Sequence, residues 1–225
     1  ASNAASHGPS PSAQRGAGRS LPTARGPCGS AQESWACSLS RNPETARELI
    51  VSVGRILDQA GLRAALIGGQ AVNCWVEPRI TMDVDVTVLS DGPAVHTAIR
   101  LFEEAGFKVQ LQQDGGGASG PDFVRLEHQA TMVPVDLQVG KTEFETVVVE
   151  RATRAPGLAV PVATKEDLLV LKLLASRHKD FRDLLDLGKL PDVDWDYVSY
   201  WCDVWQVTDR LENLRRMIAE DATNS

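Results

Sequence analysis

The spacing of hydrophobic and polar positions changes along the chain and separates predicted helices from predicted strands. Apolar residues recur every three or four positions between Asn42 and Gly61, which predicts an amphipathic helix with Asn42 as its N-cap and Pro43 in its first turn. Short runs that are apolar throughout, or at every second position, predict strands. These runs cover residues 64–67, 80–89, 107–112, 123–128, 132–139 and 158–162.

Further helical patterns lie between these strands and after them. They cover residues 70–77, 93–105, 141–151, 164–176, 180–189, 194–204 and 207–220. Strands and helices are mixed in the first part, and the last four helices follow one another, so the pattern predicts an α+β fold. We expect a mixed β-sheet flanked by helices over residues 41–162 and a helical C-terminal part over residues 163–225.

The first forty residues have a different composition from the rest. Twenty-six of them are Ala, Gly, Pro or Ser, and such a segment cannot offset the entropy of ordering by burying apolar surface. We therefore predict that residues 1–40 form a low-complexity tail, in which Ser2-Asn3-Ala4 is the remnant of a tag. A second glycine-rich stretch, residues 115–120, formally fits Gly-x-Gly-x-x-Gly, but a strand pattern follows it instead of a helix, so we predict a loop.

Charge and cysteine content narrow the functional classes. The tail carries +2 and the whole chain −7, so residues 41–225 carry −9, which disfavours a general nucleic-acid binder. The four cysteines lack zinc-site spacing, which favours free thiols in a reducing compartment. The sequence has no apolar run near the ~18 residues of a membrane helix and no apolar stretch typical of a secretory signal within residues 1–30. We expect a cytoplasmic protein that has no membrane partner.

Two carboxylates share one face of the predicted strand 80–89. Strict alternation would place Ile80, Met82 and the following valines on the core face, and Asp83 and Asp85 on the other face. Carboxylates one pleat apart can share a hard cation through their oxygens. Taken alone, however, such a pair is more often an ordinary solvated strand face.

Two neighbouring features make a functional site more plausible. Gly68-Gly69 ends the strand 64–67, where glycine lets backbone N–H groups approach a phosphate, although a plain strand-to-helix turn has the same pattern. The strand 132–139 alternates in the same way and places Asp136 opposite its apolar face. A lone aspartate on a strand is more often a surface residue, so Asp136 is a candidate third carboxylate on this evidence.

The order of these motifs resembles a known superfamily. Ile67-Gly68-Gly69, then thirteen residues, then Asp83-Val84-Asp85-Val86 is similar to the signature of the DNA polymerase β-type nucleotidyltransferases. The stretch from Arg79 to Asp85 resembles the minimal and abortive-infection toxin-like branch, and the likeness covers residues 45–190. One difference is Gln70, where many members carry Ser or Thr.

The resemblance implies a nucleotidyltransferase core over residues 41–162 and specific roles for its residues. Asp83 and Asp85 would bind two Mg²⁺ (or Mn²⁺) ions, and Asp136 would complete the site and act near the general base. The substrate would be an NTP, with Gly68 and Gly69 cradling its phosphates.

The C-terminal part contains one charged residue in an otherwise apolar stretch. Lys172 is surrounded by Leu and Val in the helix 164–176, so it must either snorkel to solvent or meet an anion. In the resembled branch, this segment and the following Arg177-x-Lys179-Asp180 help to hold nucleotide, which makes Lys172 and Arg177 candidate nucleotide-binding residues. The alternative for the basic stretch is ordinary salt bridging with nearby aspartates. For Arg79 we favour pairing with a carboxylate over contact with a phosphate.

The sequence therefore predicts a metal-dependent nucleotidyltransferase. The enzyme would move a nucleoside monophosphate from an NTP to an acceptor hydroxyl on tRNA, a protein or a small molecule. One alternative is a catalytically weak regulatory or antitoxin-like protein on the same fold that binds a partner protein. Another is an unrelated α/β fold with a solvated Asp-x-Asp pair, for which no metal-linked stabilisation is expected.

Overall fold

A computed structural model of the chain describes residues 43–90, 92–114 and 121–224. The predicted tail 1–40, the Asn42 cap and the loop 115–120 lie outside these residues. The helices are α1 (Pro43–Gln59), α2 (Gly68–Val72), α3 (Pro93–Glu104), α4 (Glu143–Arg151), α5 (Lys165–Ala175), α6 (Phe181–Gly188), α7 (Trp195–Val204) and α8 (Thr208–Asn224), with a 3-10 turn over His178–Asp180. The strands are β1 (Arg63–Ile67), β2 (Val84–Leu89), β3 (Phe107–Asp114), β4 (Pro121–His128) and β5 (Val133–Gly140).

The five strands form one mixed sheet in the order β1-β2-β5-β4-β3. Strands β2 and β5 are parallel, and the other three pairs are antiparallel. This arrangement confirms the predicted α+β fold with a mixed sheet and a helical C-terminal part. The boundary between residues 162 and 163 stays a prediction. Within the described ranges, no helix has both the length and the apolar composition needed to span a membrane.

One face of the sheet belongs to the hydrophobic core. Its central residues are fully buried because alternate positions of β2, β5 and β4 carry Val or Leu. Helices α1 and α3 contact each other, and they pack on β1 and β3, respectively. Helix α4 contacts β1 and β2, and its Glu145 accepts a hydrogen bond from Gln138 on the polar face.

A buried polar cluster fixes the C-terminal helices to this core. Asp167 at the start of α5 accepts hydrogen bonds from the Thr164 hydroxyl at 2.7 Å and from the Tyr197 hydroxyl of α7. Arg151 at the end of α4 lies 3.6 Å from the same carboxylate. Helix α5 also contacts α2, which brings the C-terminal part next to the glycine turn after β1.

Three predicted elements differ from the structure. The strand predicted over 80–89 begins at Val84, and Ile80 and Met82 are 66% and 55% exposed instead of lying on the core face. The reason is that the ladders with β1 and β5 extend no further back than Asp85 and Val84, respectively. The strand predicted over 158–162 is reduced to isolated bridges at Val162, and the helix predicted over 70–77 begins two residues earlier and already ends at Val72.

Candidate active site

Four neighbouring strand positions form one lateral row across the polar face of the sheet. Ile67 of β1 pairs with Asp85 of β2, Asp85 pairs with Asp136 of β5, and Asp136 pairs with Arg125 of β4. Paired residues in a sheet project to the same side, with neighbouring strands about 5 Å apart. The sequence-predicted carboxylates Asp85 and Asp136 are therefore side by side. Asp83 immediately precedes β2, and we call Asp83, Asp85 and Asp136 the acidic cluster.

Asp85 lies at the centre of this cluster, against the backbone of Gly68. Gly68 has φ +66°, and a Cβ atom at this position would overlap the Asp85 carboxylate. Burial, together with the negative charges of Asp83 and Asp136, raises the pKa of Asp85 to about 7. Asp85 is thus a carboxylate whose negative charge is poorly compensated.

Thr81 orients the first carboxylate of the cluster. Its hydroxyl donates to Asp83 Oδ1 over 2.9 Å, and the residue is only 6% exposed. A Cβ atom at Gly69 would come within 2.5 Å of the same hydroxyl oxygen. Both glycines of the predicted phosphate cradle therefore leave room for polar side chains of the site, Gly68 for Asp85 and Gly69 for Thr81.

Asp136 is held by a residue that the sequence analysis did not single out. Arg125 donates from Nε to Oδ1 over 2.7 Å and from Nη2 to Oδ2 over 2.5 Å, a bidentate pair. The hydrogen bond with Asp136 raises the pKa of Arg125, and the charges of Asp83 and Asp85 add to the effect. The guanidinium therefore faces the whole acidic cluster.

The remaining predicted site residues belong to a second group of charges, in α5, the 3-10 turn and α6. The ammonium of Lys172 is buried and lies 2.6 Å from Asp183 and 3.1 Å from Asp180. Arg79 donates to both oxygens of Asp183, at 2.6 and 2.5 Å, and Arg177 donates to Asp180 over 2.7 Å. We call these five residues the ion-pair network.

The network changes the interpretation of three basic residues. Lys172 neither snorkels nor points freely at the site, because two aspartates within eleven residues of it supply the anion. The preferred pairing of Arg79 with a carboxylate is confirmed, and so is the salt bridging of Arg177. Arg177 is also close enough to the acidic cluster that it and Lys179 lower the pKa of Asp85 through their charge.

The acidic cluster offers a cation suitable donor atoms in an incomplete arrangement. Carboxylate oxygens are the ligands that Mg²⁺ and Mn²⁺ prefer; Asp85 and Asp136 are paired near the start of the β2–β5 ladder, and Asp83 lies just before it. In the part of the chain that the structure describes, however, no three His, Cys, Asp or Glu side chains are arranged as a ready metal site. The carboxylate oxygens of the cluster therefore fit a cation. Arg125 binds both oxygens of Asp136, however, so this ion pair would have to open before Asp136 could become a ligand.

Sequence reasoning missed the partners that depend on long-range pairing. Arg125 alternates with buried Val124 and Leu126, which signals only a polar strand face; its position opposite Asp136 requires the β4–β5 register.

Gln70 is 1% exposed, and among the described residues neither its amide nitrogen nor its amide oxygen has a hydrogen-bond partner. Nothing in the structure explains this buried amide.

Similar solved structures include nucleotidyltransferases. The antibiotic-resistance factor ANT(2'')-Ia is 17% identical, with 80% of this chain and 95% of that chain covered and a TM-score of 0.45. An antigenic nucleotidyltransferase-like protein from Paracoccidioides brasiliensis is 20% identical, with coverages of 78% and 93% and a TM-score of 0.46. JHP933 from Helicobacter pylori is 13% identical, with coverages of 83% and 97% and the same TM-score of 0.46.

These likenesses are too distant to support an argument about activity. No curated protein matches the chain significantly. A family model, in contrast, matches residues 54–207, well over half of the chain, and it spans the sheet, the acidic cluster and the ion-pair network. That family is described as the nucleotidyl transferase AbiEii toxin of a type IV toxin–antitoxin system. This chain therefore belongs to the AbiEii nucleotidyltransferase toxin family.

Proposed function

We propose that the protein is a metal-dependent nucleotidyltransferase that moves a nucleoside monophosphate from an NTP to an acceptor hydroxyl and releases pyrophosphate. The observation that carries this proposal is the position of Asp85, a carboxylate that is pressed against Gly68 between two other carboxylates, with its pKa raised to about 7. A divalent cation would relieve this repulsion. Family membership supports nucleotide transfer in general.

Each residue of the site has a role in this proposal. Asp83, Asp85 and Asp136 would hold Mg²⁺ or Mn²⁺, which would supply charge neutralisation of the triphosphate. Thr81 keeps Asp83 oriented through its hydrogen bond. Gly68 and Gly69 would let the phosphates approach the backbone.

Asp136 and the ion-pair network complete the proposal. Asp136 would accept the proton of the attacking hydroxyl once Arg125 has left it. Lys172 acts through the network: it holds Asp180, which in turn holds the guanidinium of Arg177 within electrostatic reach of Asp85. Arg177 is thus the residue of this group that would contact nucleotide.

The acceptor hydroxyl belongs to tRNA, a protein side chain or a small molecule. The net charge of −9 over residues 41–225 argues against a long RNA, because such a surface repels phosphates. Membership in a toxin family supports a cytoplasmic site of action and a partner protein, and both are part of this proposal.

One observation favours a second function. Arg125 already neutralises Asp136, so the acidic cluster does not form a ready metal site. A catalytically weak, antitoxin-like protein that binds a partner would show this arrangement permanently, whereas an enzyme would open it when nucleotide binds.

Calorimetric titration separates the two functions. We would titrate ATP, GTP, CTP and UTP, each with Mg²⁺ and with EDTA, into the wild type and the Asp83→Asn/Asp85→Asn variant. The enzyme proposal predicts binding that requires both Mg²⁺ and the two carboxylates. Asp196→Asn, at an exposed position of α7, is the matched control and should bind like the wild type. Absence of NTP binding by the wild type would exclude the enzyme proposal and favour the binding protein.

A further inference from the structure

Arg125 occupies the β4 position of the lateral row, and the proposed function assigns this positive charge no contact with a ligand. We propose that Arg125 is a phosphate-positioning residue, stored on Asp136 until a cation and nucleotide displace it. This inference rests on the proposed function, because it assumes that the acidic cluster receives a cation with nucleotide.

Arg125 and a cation would compete for the same oxygen atoms of Asp136. Arg125 occupies both carboxylate oxygens of Asp136 through Nε and Nη2. A cation that uses Asp136 as a ligand needs at least one of these oxygens, so cation binding and the bidentate pair exclude each other. Arg125 therefore acts as the counter-ion of the acidic cluster when the cation is absent.

The side chain of Arg125 can leave Asp136 without disturbing the fold. Its backbone is fixed in the middle of β4 between β3 and β5, but its side chain is 46% exposed. Its guanidinium lies 5.8 Å from the ring centre of Phe123, two residues earlier on the same face, which offers a contact after release. Among the described residues, Nη1 makes no hydrogen bond, so the group already has a free donor.

The charges around Arg125 determine where its guanidinium goes after it leaves Asp136. Arg125 is held by the charges of all three carboxylates. A divalent cation bound there would neutralise these charges and repel the guanidinium, whereas the triphosphate that arrives with it would be an anion. Guanidinium binds phosphate oxygens through two parallel hydrogen bonds, in the same geometry as it binds Asp136 now.

One substitution should change the affinities of the protein for two ligands in opposite directions. In Arg125→Gln, the affinity for Mn²⁺ alone should increase, because the competitor is gone, by roughly fivefold to tenfold for a half-exposed charged hydrogen-bonded pair. The affinity for an NTP analogue in the presence of Mg²⁺ should decrease by a similar factor, because a phosphate contact is lost. A residue with only a structural role would not move the two affinities in opposite directions.

The experiment measures both affinities on the same proteins. Mn²⁺ without nucleotide is titrated by electron paramagnetic resonance, and the α,β-methylene analogue of each NTP is titrated with Mg²⁺ by calorimetry. Arg63→Gln is the matched control: Arg63 is also a strand arginine paired with a carboxylate, Glu150 at 3.6 Å, but it lies at the other end of β1. It should leave both affinities unchanged.

The outcomes distinguish this inference from the proposed function. If the wild type binds the analogues with Mg²⁺ but Arg125→Gln leaves either affinity unchanged, or moves both in one direction, the role of Arg125 is refuted and the enzyme proposal stands. If the wild type binds neither ligand, both are refuted. Should Arg125→Gln melt early, Arg125→Lys keeps the charge without the two-pronged donor, and its analogue affinity must still decrease for the proposal to hold.

Discussion

The acidic cluster and the ion-pair network both border the glycine turn after β1, and they differ in how their charges are compensated. The network combines three cations with two aspartates, and hydrogen bonds from these cations lower the pKa values of Asp180 and Asp183 even though burial alone would raise them. The acidic cluster combines three aspartates with one arginine, and the pKa of Asp85 is raised. We therefore propose that the compensated charges of the network stabilise the fold and that the uncompensated charge of the acidic cluster serves to bind a ligand.

The largest expected effect is on activity, from the centre of the acidic cluster. Asp85→Asn should lower Mg²⁺-dependent nucleotide transfer by about 10³-fold, because it removes a proposed cation ligand. The same variant should be no less stable than the wild type, since it removes a repelled charge. Turnover assays and thermal melting in EDTA test both statements, and a variant that is active or strongly destabilised would contradict the comparison.

The largest expected effect on stability comes from the network. Asp183→Asn takes a buried partner from Arg79 and Lys172, so we expect a loss of about 3 kcal/mol in the free energy of unfolding. The matched control is Asp186→Asn, one turn further along α6, because Asp186 pairs at 3.4 Å with an exposed arginine. That change should cost below about 0.5 kcal/mol. Equal losses in urea denaturation would show that the network is not the stabilising region.

A glycine substitution tests the contact that isolates Asp85. Gly68→Ala would force a Cβ atom into the Asp85 carboxylate at φ +66°, and Gly61→Ala has a similar φ of +71° with nothing within 4 Å. Both variants should lose about 1 kcal/mol of stability from the left-handed backbone, and Gly68→Ala should lose more because the Asp85 side chain must move. Only Gly68→Ala should also lose Mg²⁺-dependent NTP binding, by about tenfold or more. Equal NTP affinity in the two variants would mean that the position of Asp85 is not critical.

The contributions of the two regions to folding stability should also change with pH in opposite directions. The folded protein holds a proton on Asp85 that the unfolded chain releases near its ordinary pKa of about 3.9, so this group makes stability decrease as pH rises towards 7. Asp180 and Asp183 have lowered pKa values, and their contribution is present above about pH 4 and is lost as pH falls below it. Melting temperatures between pH 5 and 8 in EDTA should therefore decrease less steeply in Asp85→Asn than in the wild type. Parallel curves would contradict the raised pKa.

The sequence predicted the parts of this comparison that depend on local pattern. Periodicity identified every helix of the C-terminal part, and alternation placed Asp85 and Asp136 on polar strand faces. The alternating pattern gave the wrong start for β2. An alternating stretch forms a strand only where a neighbouring strand pairs with it, and that pairing begins at Val84. Residues 80 and 82 share the core-face pattern but are exposed.

The ion-pair partners of Lys172 and Arg125 could not be predicted from local pattern, for the same reason. Lys172 clearly needed an anion, but a phosphate and a nearby aspartate satisfy that need equally well in a sequence. Only the folding of α6 back towards α5 brings Asp180 and Asp183 to its ammonium. Arg125 reaches Asp136 through the β4–β5 register, which is set by the whole sheet.

The smallest expected effects come from Arg177, the residue that belongs to the network and also acts on the acidic cluster. Its side chain is 57% exposed, so Arg177→Gln should cost below about 1 kcal/mol of stability although it removes hydrogen bonds to Asp180. Because its charge favours ionised Asp85, its loss should raise the pKa of Asp85 further and weaken Mg²⁺-dependent NTP binding by about twofold to fivefold.

Arg182→Gln is the control for this last prediction. Arg182 is a nearby arginine that is 78% exposed and paired with Asp186 on its own helix, so its loss should change neither NTP affinity nor stability measurably. Calorimetry at low and high salt completes the test, since a through-space effect of Arg177 must shrink as ionic strength rises. Equal NTP affinities of Arg177→Gln and Arg182→Gln would contradict the proposed contact of Arg177 with nucleotide.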